Sequence, residues 1–115
     1  MINSKRQINI ACLQTSPRPD FKSALDEAIA LAEEAVDSGA DILTLREYFG
    51  GLKTGSSAFA PPFATEESHP VLKGLMDFAK TRKKYLLIGS IAIKGPAEKI
   101  LNRSFMIHDL SPIYI

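Results

Sequence analysis

Apolar residues recur along this chain at two spacings, which predict strands and helices. Short apolar runs predict five strands: Ile8–Leu13, Asp41–Leu45, Tyr85–Ile93, Ile100–Ile107 and one that begins at Ile113. Apolar residues at helical spacing predict two helices, Phe21–Val36 and Val71–Ala79. Asp20 is placed to cap the first helix at its N-terminus, and Gly39 to cap it at its C-terminus. Strands and helices therefore alternate until the fourth strand.

The order of these elements predicts a mixed sheet. A strand, a helix and a strand at this spacing form a βαβ unit with a right-handed crossover and parallel strands. The turn residues within Lys94–Lys99 predict that the third and fourth strands pair as an antiparallel hairpin. Residues Gly50–Pro70 show no apolar period and predict a long irregular loop, a kind of segment that is often functional. The fold class is therefore α/β.

The third predicted strand is apolar on both of its faces. Alternation along it gives two sets of residues: Tyr85, Leu87, Gly89, Ile91 and Ile93 on one face, and Leu86, Ile88, Ser90 and Ala92 on the other. Both crossovers are right-handed, and each adds its new strand on the same side of the preceding one. We therefore expect both helices on one face of the sheet. Soluble monomers rarely expose an apolar patch larger than roughly a few hundred Å². We therefore expect a partner chain, or a further part of this one, to cover the other face.

Composition and charge argue against several classes of partner. The 115 residues include 14 basic and 13 acidic side chains, so neither nucleic acid nor an anionic membrane is an expected partner. The basic group Lys80, Arg82, Lys83 and Lys84 lies where the second helix should end, and interaction with the helix dipole explains it. No apolar stretch is long enough to span a bilayer, and no signal-peptide pattern is found. A single cysteine, Cys12, allows no internal disulfide and favours a cytoplasmic location.

Glu47 is the best candidate for a site residue. It lies just past the carboxyl end of the second strand, where ligands of α/β sheets bind, although a solvated loop position or a helix cap is the commoner reading of such a residue. Cys12 lies inside the first strand, where burial is the expectation. His69 is expected to cap the second helix or to lie on the surface, and His108 closes the fourth strand. No zinc pattern or phosphate loop is found, and we expect no metal or other cofactor.

Several short motifs in a fixed order link the chain to a known family. They are INIACLQ in the first strand, GAD after the first helix (Gly39 to Asp41), EYFGG (Glu47 to Gly51), LLIGS (Leu86 to Ser90) and NRSFMI (Asn102 to Ile107). Together they resemble the carbon-nitrogen hydrolases of the nitrilase superfamily over essentially the whole chain. The stretch FAPPFATEESHP is most similar to bacterial amidase-like members.

The resemblance implies a catalytic role for Glu47. In that family a glutamate, a lysine and a cysteine hydrolyse an amide or a nitrile, and Glu47 matches the glutamate, the general base for the cysteine thiol. The lysine, which stabilises the oxyanion, and the cysteine nucleophile belong to later parts of the family's sequence and are not among these residues. We therefore expect these 115 residues alone to lack amidase and nitrilase activity. Asn102 and Ser104 match the family's Asn-x-Ser and are expected to hold backbone near the site; solvent-facing strand polarity is the alternative.

The same resemblance implies a larger fold and an assembly. Residues 1–115 would form a single incomplete carbon-nitrogen hydrolase domain, the N-terminal half of an α-β-β-α sandwich with two helices on one face of its sheet. The intact enzyme would act on a small amide or nitrile and form a homodimer or higher oligomer, with most substrate-binding residues elsewhere in its sequence. A truncated homologue that serves as a binding or assembly module is the alternative, and an unrelated small α/β domain is a third interpretation.

One position departs from the family's motif. Where the family usually has proline before its glutamate, this chain has Arg46. Proline fixes φ and shapes the bend that aims the carboxylate, so its loss could loosen Glu47. Two interpretations stay open: relaxed selection on a decaying gene, and a tolerated variant. Successive residues of an extended chain point in opposite directions, so Arg46 should not pair directly with Glu47.

Overall fold

The computed structural model describes residues 7–47, 49–50, 62–108 and 113–114. Its elements, in chain order, are β1 (Ile10–Leu13), α1 (Phe21–Asp37), β2 (Ile42–Leu45), α2 (Pro70–Arg82), β3 (Tyr85–Lys94), a 3₁₀ turn (Pro96–Glu98), β4 (Ile100–Ile107) and β5 (Ile113–Tyr114). Each predicted strand and helix is present close to its predicted bounds. Most of the predicted loop Gly50–Pro70 lies outside the described residues. Neither described α-helix has the length and apolarity that crossing a bilayer requires.

The strands form one sheet in sequence order, β1-β2-β3-β4-β5. β1, β2 and β3 run parallel, with Cys12 beside Thr44 and Thr44 beside Leu87, whereas β4 runs antiparallel to β3 and β5 antiparallel to β4. Parallel neighbours need crossover connections, and α1 and α2 lie in the two connections. The predicted α/β class is therefore confirmed, with a mixed sheet and both helices on one face.

One face of the sheet and the inner sides of both helices form the hydrophobic core. Alternate residues of the strands and the apolar stripe of α2 are buried in it: Leu13, Leu43, Leu45, Phe105, Ile107, Val71, Leu72 and Leu75. Helix α1 contributes the small residues Ala28 and Ala32, which are fully buried. Burying each large aliphatic side chain contributes about 1.5–3 kcal/mol, so this face supplies the main driving force for folding.

Helix α1 is capped at both ends as its sequence predicts. The Asp20 carboxylate accepts a hydrogen bond from the Ser23 backbone N–H at 2.8 Å. After the helix, Gly39 adopts a φ of +97°, and the N–H groups of Gly39 and Ala40 each donate to a carbonyl of the last turn at 3.0 Å. These two bonds form a Schellman motif, whose left-handed residue favours glycine.

The strict alternation predicted for β3 is wrong beyond Gly89. A β-bulge between Ile88 and Ile91 shifts the register of β3 against β4, and residues 90–93 are all buried. Ile91 and Ile93 therefore join the same core as Leu86 and Ile88 instead of facing the other way. The physical reason is that a bulge adds one residue to one strand, and a shift of one residue moves the following side chains to the opposite face.

The opposite face of the sheet carries side chains that neither helix covers. Ile10 is 61% exposed and Tyr85 is 46% exposed, and Cys12, on the same face, is exposed as well. The expectation that Cys12 is buried is therefore wrong. Leu13 faces the helices, so Cys12, its neighbour in an extended edge strand, faces away from them. The bare face predicted from the crossovers is present among the described residues.

The turn between β3 and β4 holds two residues in an unfavourable backbone conformation. Ala97 and Glu98 have φ angles of +53° and +61°, and the Lys99 N–H donates to the Pro96 carbonyl at 3.1 Å. Positive φ at both central positions is the type I′ geometry, which matches strand twist but favours asparagine followed by glycine. A residue with a Cβ in this region costs about 1–2 kcal/mol.

Replacing Glu98 with glycine should stabilise the protein by about 0.5–1 kcal/mol, because glycine adopts a positive φ without a clash. Urea unfolding followed by circular dichroism measures the change. Glu67→Gly is the matched control, since Glu67 is also an exposed turn glutamate but is not among the residues with positive φ. We expect the free energy of unfolding of the control to fall by about 0.5 kcal/mol, because glycine gives the unfolded chain more conformational freedom. Equal losses in both variants would contradict the prediction.

Candidate functional site

Glu47 lies just past the carboxyl end of β2 and accepts a hydrogen bond from β4. The Asn102 side-chain amide donates to Glu47 Oε1 at 3.1 Å, although the two residues are 55 positions apart in sequence. Both residues are exposed, and Asn102 lies on the face of β4 that the helices leave uncovered. This carboxylate is accessible from the edge of the sheet at which α/β folds bind their ligands. The structure therefore brings two of the three sequence-predicted site residues into direct contact.

Ser104, the third of these residues, contacts backbone and not Glu47 itself. Its hydroxyl donates a hydrogen bond to the carbonyl oxygen of Gly89 in β3. Asn102 and Ser104 are two positions apart in β4, so both side chains lie on the same face of the sheet. The Ser104 bond ties β4 to β3 at the bulge, where the regular pairing between the two strands is interrupted.

Gly89 allows the chain before Glu47 to pass close to β3. A Cβ at Gly89 would lie 2.5 Å from the Leu45 carbonyl oxygen, 2.5 Å from the Arg46 carbonyl carbon and 2.7 Å from the Arg46 oxygen. Backbone atoms at such distances exclude any side chain, so this position needs glycine on steric grounds. Sequence reasoning did not single out Gly89, although a glycine inside an apolar strand is a signal for a bulge or a close approach.

Arg46 reaches toward the loop that follows β1. Its Nη1 donates to the Thr15 carbonyl oxygen at 2.9 Å. Thr15 is only 4% exposed, so the acceptor belongs to a well-packed segment. In the part of the chain that the structure describes, no ion pair joins Arg46 to Glu47. The Arg46 bond links the carboxyl ends of β1 and β2.

A cavity of about 360 Å³ lies beside this end of the sheet. Cys12, Leu13, Gln14 and Arg46 line it. It is open to solvent and not enclosed. Arg46, one of its lining residues, directly precedes Glu47 in the sequence. The cavity extends the accessible surface at the carboxyl ends of β1 and β2.

His69 is buried in the core. It occupies the N-cap position of α2, but its side chain makes no capping hydrogen bond and the residue is 0% exposed. The imidazole packs on Phe21, with ring centroids 4.6 Å apart, and lies next to Gly50 in the turn that follows Glu47. The expected surface or capping role is therefore wrong. The extended backbone before Pro70 directs the ring inward, where contact with Phe21 replaces contact with water.

Burial also changes the charge state of His69. It lowers the pKa of the imidazole from 6.5 to about 4, while the backbone of Ala92 acts in the opposite direction with a smaller effect. Within the described ranges, neither ring nitrogen makes a hydrogen bond of good geometry. His69 is therefore neutral at physiological pH and serves as a packing group beside Gly50.

The remaining histidine lies far from Glu47. His108 stacks on Tyr85 with 4.1 Å between ring centroids, and Tyr85 begins β3 at the end of the sheet opposite to Glu47. Among the described residues, no cluster of three or more His, Cys, Asp or Glu side chains could hold a metal ion. The described residues of this site supply one accessible carboxylate with an amide donor beside it, which can accept a proton from a nucleophile or from water.

Gly89→Ala should destabilise the protein by about 2 kcal/mol, because the added methyl group meets backbone atoms that cannot rotate away. Urea unfolding measures the loss. Gly74→Ala in α2 is the matched control: its Cβ would come 2.5 Å from Leu25 Cδ2, the end of a flexible side chain. Alanine also favours the helix by about 1 kcal/mol, so the control should change stability little. Equal losses in the two variants would contradict the steric role of Gly89.

Comparison with protein families gives one match. The chain matches the family model described as Carbon-nitrogen hydrolase over residues 9–110. No curated protein matches the chain in sequence.

Solved structures show the same fold at low sequence identity. Saccharomyces cerevisiae Nit3, a member of branch 10 of the nitrilase superfamily, superposes with a TM-score of 0.71 at 22% identity, over 89% of this chain and 40% of its own. The NitN amidase from Nesterenkonia sp. AN1 superposes with a TM-score of 0.71 at 21% identity, over 94% of this chain and 44% of its own. An N-terminal amidase with a Gln-Gly peptide superposes with a TM-score of 0.73 at 14% identity, over 93% of this chain and 26% of its own. The nitrilase-type fold is confirmed, and the chain spans less than half the length of each of these proteins.

Proposed function

Because this chain belongs to the carbon-nitrogen hydrolase family, we propose that it is part of an enzyme that hydrolyses a non-peptide C–N bond in an amide or a nitrile. The observation that carries the proposal is the placement of Glu47, an accessible carboxylate at the carboxyl end of β2 that accepts a hydrogen bond from Asn102 at 3.1 Å. In this proposal the lysine and the cysteine of the family's triad come from a part of the enzyme outside these 115 residues.

Glu47 is the general base of the proposed reaction. It takes the proton of the cysteine thiol while the sulfur attacks the amide carbon, and the lysine ammonium stabilises the resulting oxyanion. Protonated Glu47 then gives its proton to the leaving nitrogen, so that ammonia or an amine departs and a thioester remains. Water attacks the thioester as Glu47 takes one of its protons, and Glu47 returns that proton to the departing thiolate. The products are a carboxylic acid and the regenerated enzyme.

Asn102 and Ser104 support Glu47 in different ways. Asn102 donates to a carboxylate oxygen and orients the carboxyl group toward the open face of the sheet. Ser104 bonds the carbonyl of Gly89, the residue against which the chain before Glu47 packs. Both are therefore positioning residues in this proposal, and neither takes part in proton transfer.

The proposed enzyme takes a small amide or nitrile as substrate. Its location is the cytoplasm, because one cysteine in these residues is typical of a reducing compartment. It assembles as a homodimer or a higher oligomer, as the resemblance to its family implies.

The open face of the sheet favours a second candidate function. Ile10 is 61% exposed on it and Tyr85 46%, and exposed apolar side chains of this kind mark interaction surfaces. A short polypeptide without the nucleophile would then act as a binding or assembly module. Its open sheet face would pair with the same face of a second copy or with a full-length homologue.

Assays of two polypeptides test these functions. Ammonia release from simple aliphatic amides and nitriles is measured for residues 1–115 and for the protein encoded by the complete reading frame. We expect turnover by the longer protein and none by the short one, because loss of a hydrolase nucleophile costs on the order of 10⁶ in kcat. Turnover by residues 1–115 that survives cysteine alkylation would contradict the covalent route. An inactive complete protein together with a tight dimer of the short chain would favour the assembly module.

A further inference from the structure

Arg46 directly precedes Glu47, at the position where this family usually has proline. We propose that Arg46 is a positioning residue: its hydrogen bond to Thr15 fixes the backbone that aims the Glu47 carboxylate, in place of the rigid φ angle that proline would supply. The inference rests on the proposed role of Glu47 as general base.

The first contact of Arg46 anchors its side chain. The guanidinium donates to the Thr15 carbonyl oxygen at 2.9 Å across 31 positions of sequence, and a hydrogen bond from a charged donor is roughly twice as strong as a neutral one. The acceptor is itself held in place, because Thr15 is 4% exposed and the next N–H, that of Ser16, donates to Glu27 of α1 at 2.8 Å. Arg46 is therefore tied to a segment that is bound to α1.

The second contact confines the main chain of Arg46 from the other side. Gly89 in the bulge of β3 lies so close that a Cβ there would be 2.5 Å from the Arg46 carbonyl carbon. This packing restricts the peptide group that leads directly into Glu47. The end of β2 is thus held between β3, through its main chain, and the loop after β1, through the Arg46 side chain.

The third contact acts on the carboxylate itself. Asn102 bonds Glu47 Oε1 at 3.1 Å, but three side-chain torsions separate that oxygen from the backbone. The direction of the carboxylate therefore depends on where the backbone holds its Cα as well as on Asn102. Without the Arg46 bond, that backbone loses its side-chain anchor and keeps the packing against Gly89. A displacement of about 1 Å in a catalytic group lowers rate by as much as roughly 100-fold.

Proline and Arg46 restrict the same backbone by different means. Proline fixes its own φ covalently and so removes freedom from the chain. Arg46 leaves φ free in the isolated chain and restrains it in the fold by a bond to Thr15. Arg46→Pro should therefore preserve the position of Glu47, whereas Arg46→Met, which keeps an unbranched side chain without donors, should lose it.

The side-chain amide of Asn102 gives a direct readout in the 115-residue chain. Its ¹H–¹⁵N NMR signals report the hydrogen bond to Glu47 and need no catalytic activity. We expect Arg46→Met to move them toward the values of a free amide and Arg46→Pro to leave them near the wild-type values. Arg82→Met is the matched control, because Arg82 is also an arginine with a carboxylate partner but pairs with Glu33 of α1 and not with Thr15 or Glu27. It should leave the Asn102 signals in place.

Three results would overturn the inference. The first is that the Asn102 signals are unchanged in Arg46→Met. The second is that they move equally in Arg82→Met, and the third that they move equally in Arg46→Pro. Should Arg46→Met fail to fold, Arg46→Gln takes its place in the same comparison, since its shorter side chain keeps polarity but does not extend as far toward Thr15.

Kinetics of the complete protein supply the second readout. Arg46→Met should lower kcat by about 10-fold to 100-fold and change KM by less than about twofold, and Arg46→Pro should recover most of the loss. A kcat unchanged in Arg46→Met would overturn the inference. If the wild-type complete protein hydrolyses no amide or nitrile, the proposed function fails, while the NMR comparison still decides whether Arg46 positions Glu47.

Discussion

In the complete protein, Glu47→Gln should lower kcat by roughly 10³-fold, because a carboxamide cannot take a proton from a thiol or from water. General base catalysis contributes about 10²–10⁴-fold, and the base is used twice in the proposed reaction. Glutamine retains an Oε1 atom that accepts the Asn102 amide, so the side chain should keep the position that the 3.1 Å bond defines. The substitution therefore removes proton transfer and leaves the geometry in place.

Glu67→Gln is the matched control for this prediction. Glu67 is an exposed glutamate in the turn before α2, and the same change there should leave both kcat and KM at wild-type values. Steady-state kinetics on a simple amide, with circular dichroism as the check on folding, compares the two variants. A Glu47→Gln enzyme that retains more than about a tenth of wild-type kcat would contradict the role of general base.

The free energy of unfolding should fall by about 3 kcal/mol between pH 6.5 and pH 4 through His69 alone. The folded chain keeps the imidazole neutral because burial lowers its pKa to about 4, whereas an unfolded chain binds a proton near pH 6.5. In this window the unfolded state binds more protons than the folded state, so acid favours unfolding. The contribution of neutral His69 to the free energy of unfolding is fully present above pH 6.5 and is lost as the pH falls from 6.5 to about 4.

Urea unfolding at about pH 7.5 and about pH 5 measures this dependence, and the expected loss over that interval is about 2 kcal/mol. His69→Phe should remove it, because phenylalanine packs on Phe21 without a titrating group. His108→Gln, which replaces the stacked partner of Tyr85, is the matched control and should retain it. A change in packing alters the free energy of unfolding equally at both pH values. The difference between the two free energies therefore reports proton binding alone. A His69→Phe protein with the wild-type pH dependence would contradict the prediction.

The strands, the helices and their caps were predictable because their signals are local. Asp20 and Gly39 mark the ends of α1 by residue type, and the structure shows an accepted N–H at one and a positive φ at the other. The mixed sheet was predictable for a related reason, since the handedness of crossovers leaves few arrangements of the parallel strands. Glu47 became a candidate through its position after β2 and through the family's motif.

Three expectations failed where exposure depends on distant contacts. Cys12 was expected to be buried and is exposed, because its face of the sheet has no helix against it. His69 was expected at the surface and is buried against Phe21. The second face of β3 was expected to include Ile91, but the bulge turns it into the core. Apolar spacing along one strand contains no information about which side a neighbouring element covers.

The sequence alone defines the elements, the order of the strands and the family, because side-chain period, turn residues and short motifs are properties of consecutive residues. The fold determines how Glu47 is held. Its bond to Asn102 joins residues 55 positions apart, and the bond of Arg46 to Thr15 spans 31 positions. The need for glycine at position 89 arises from the backbone of another strand. Such contacts form only when the sheet assembles, so no local pattern specifies them.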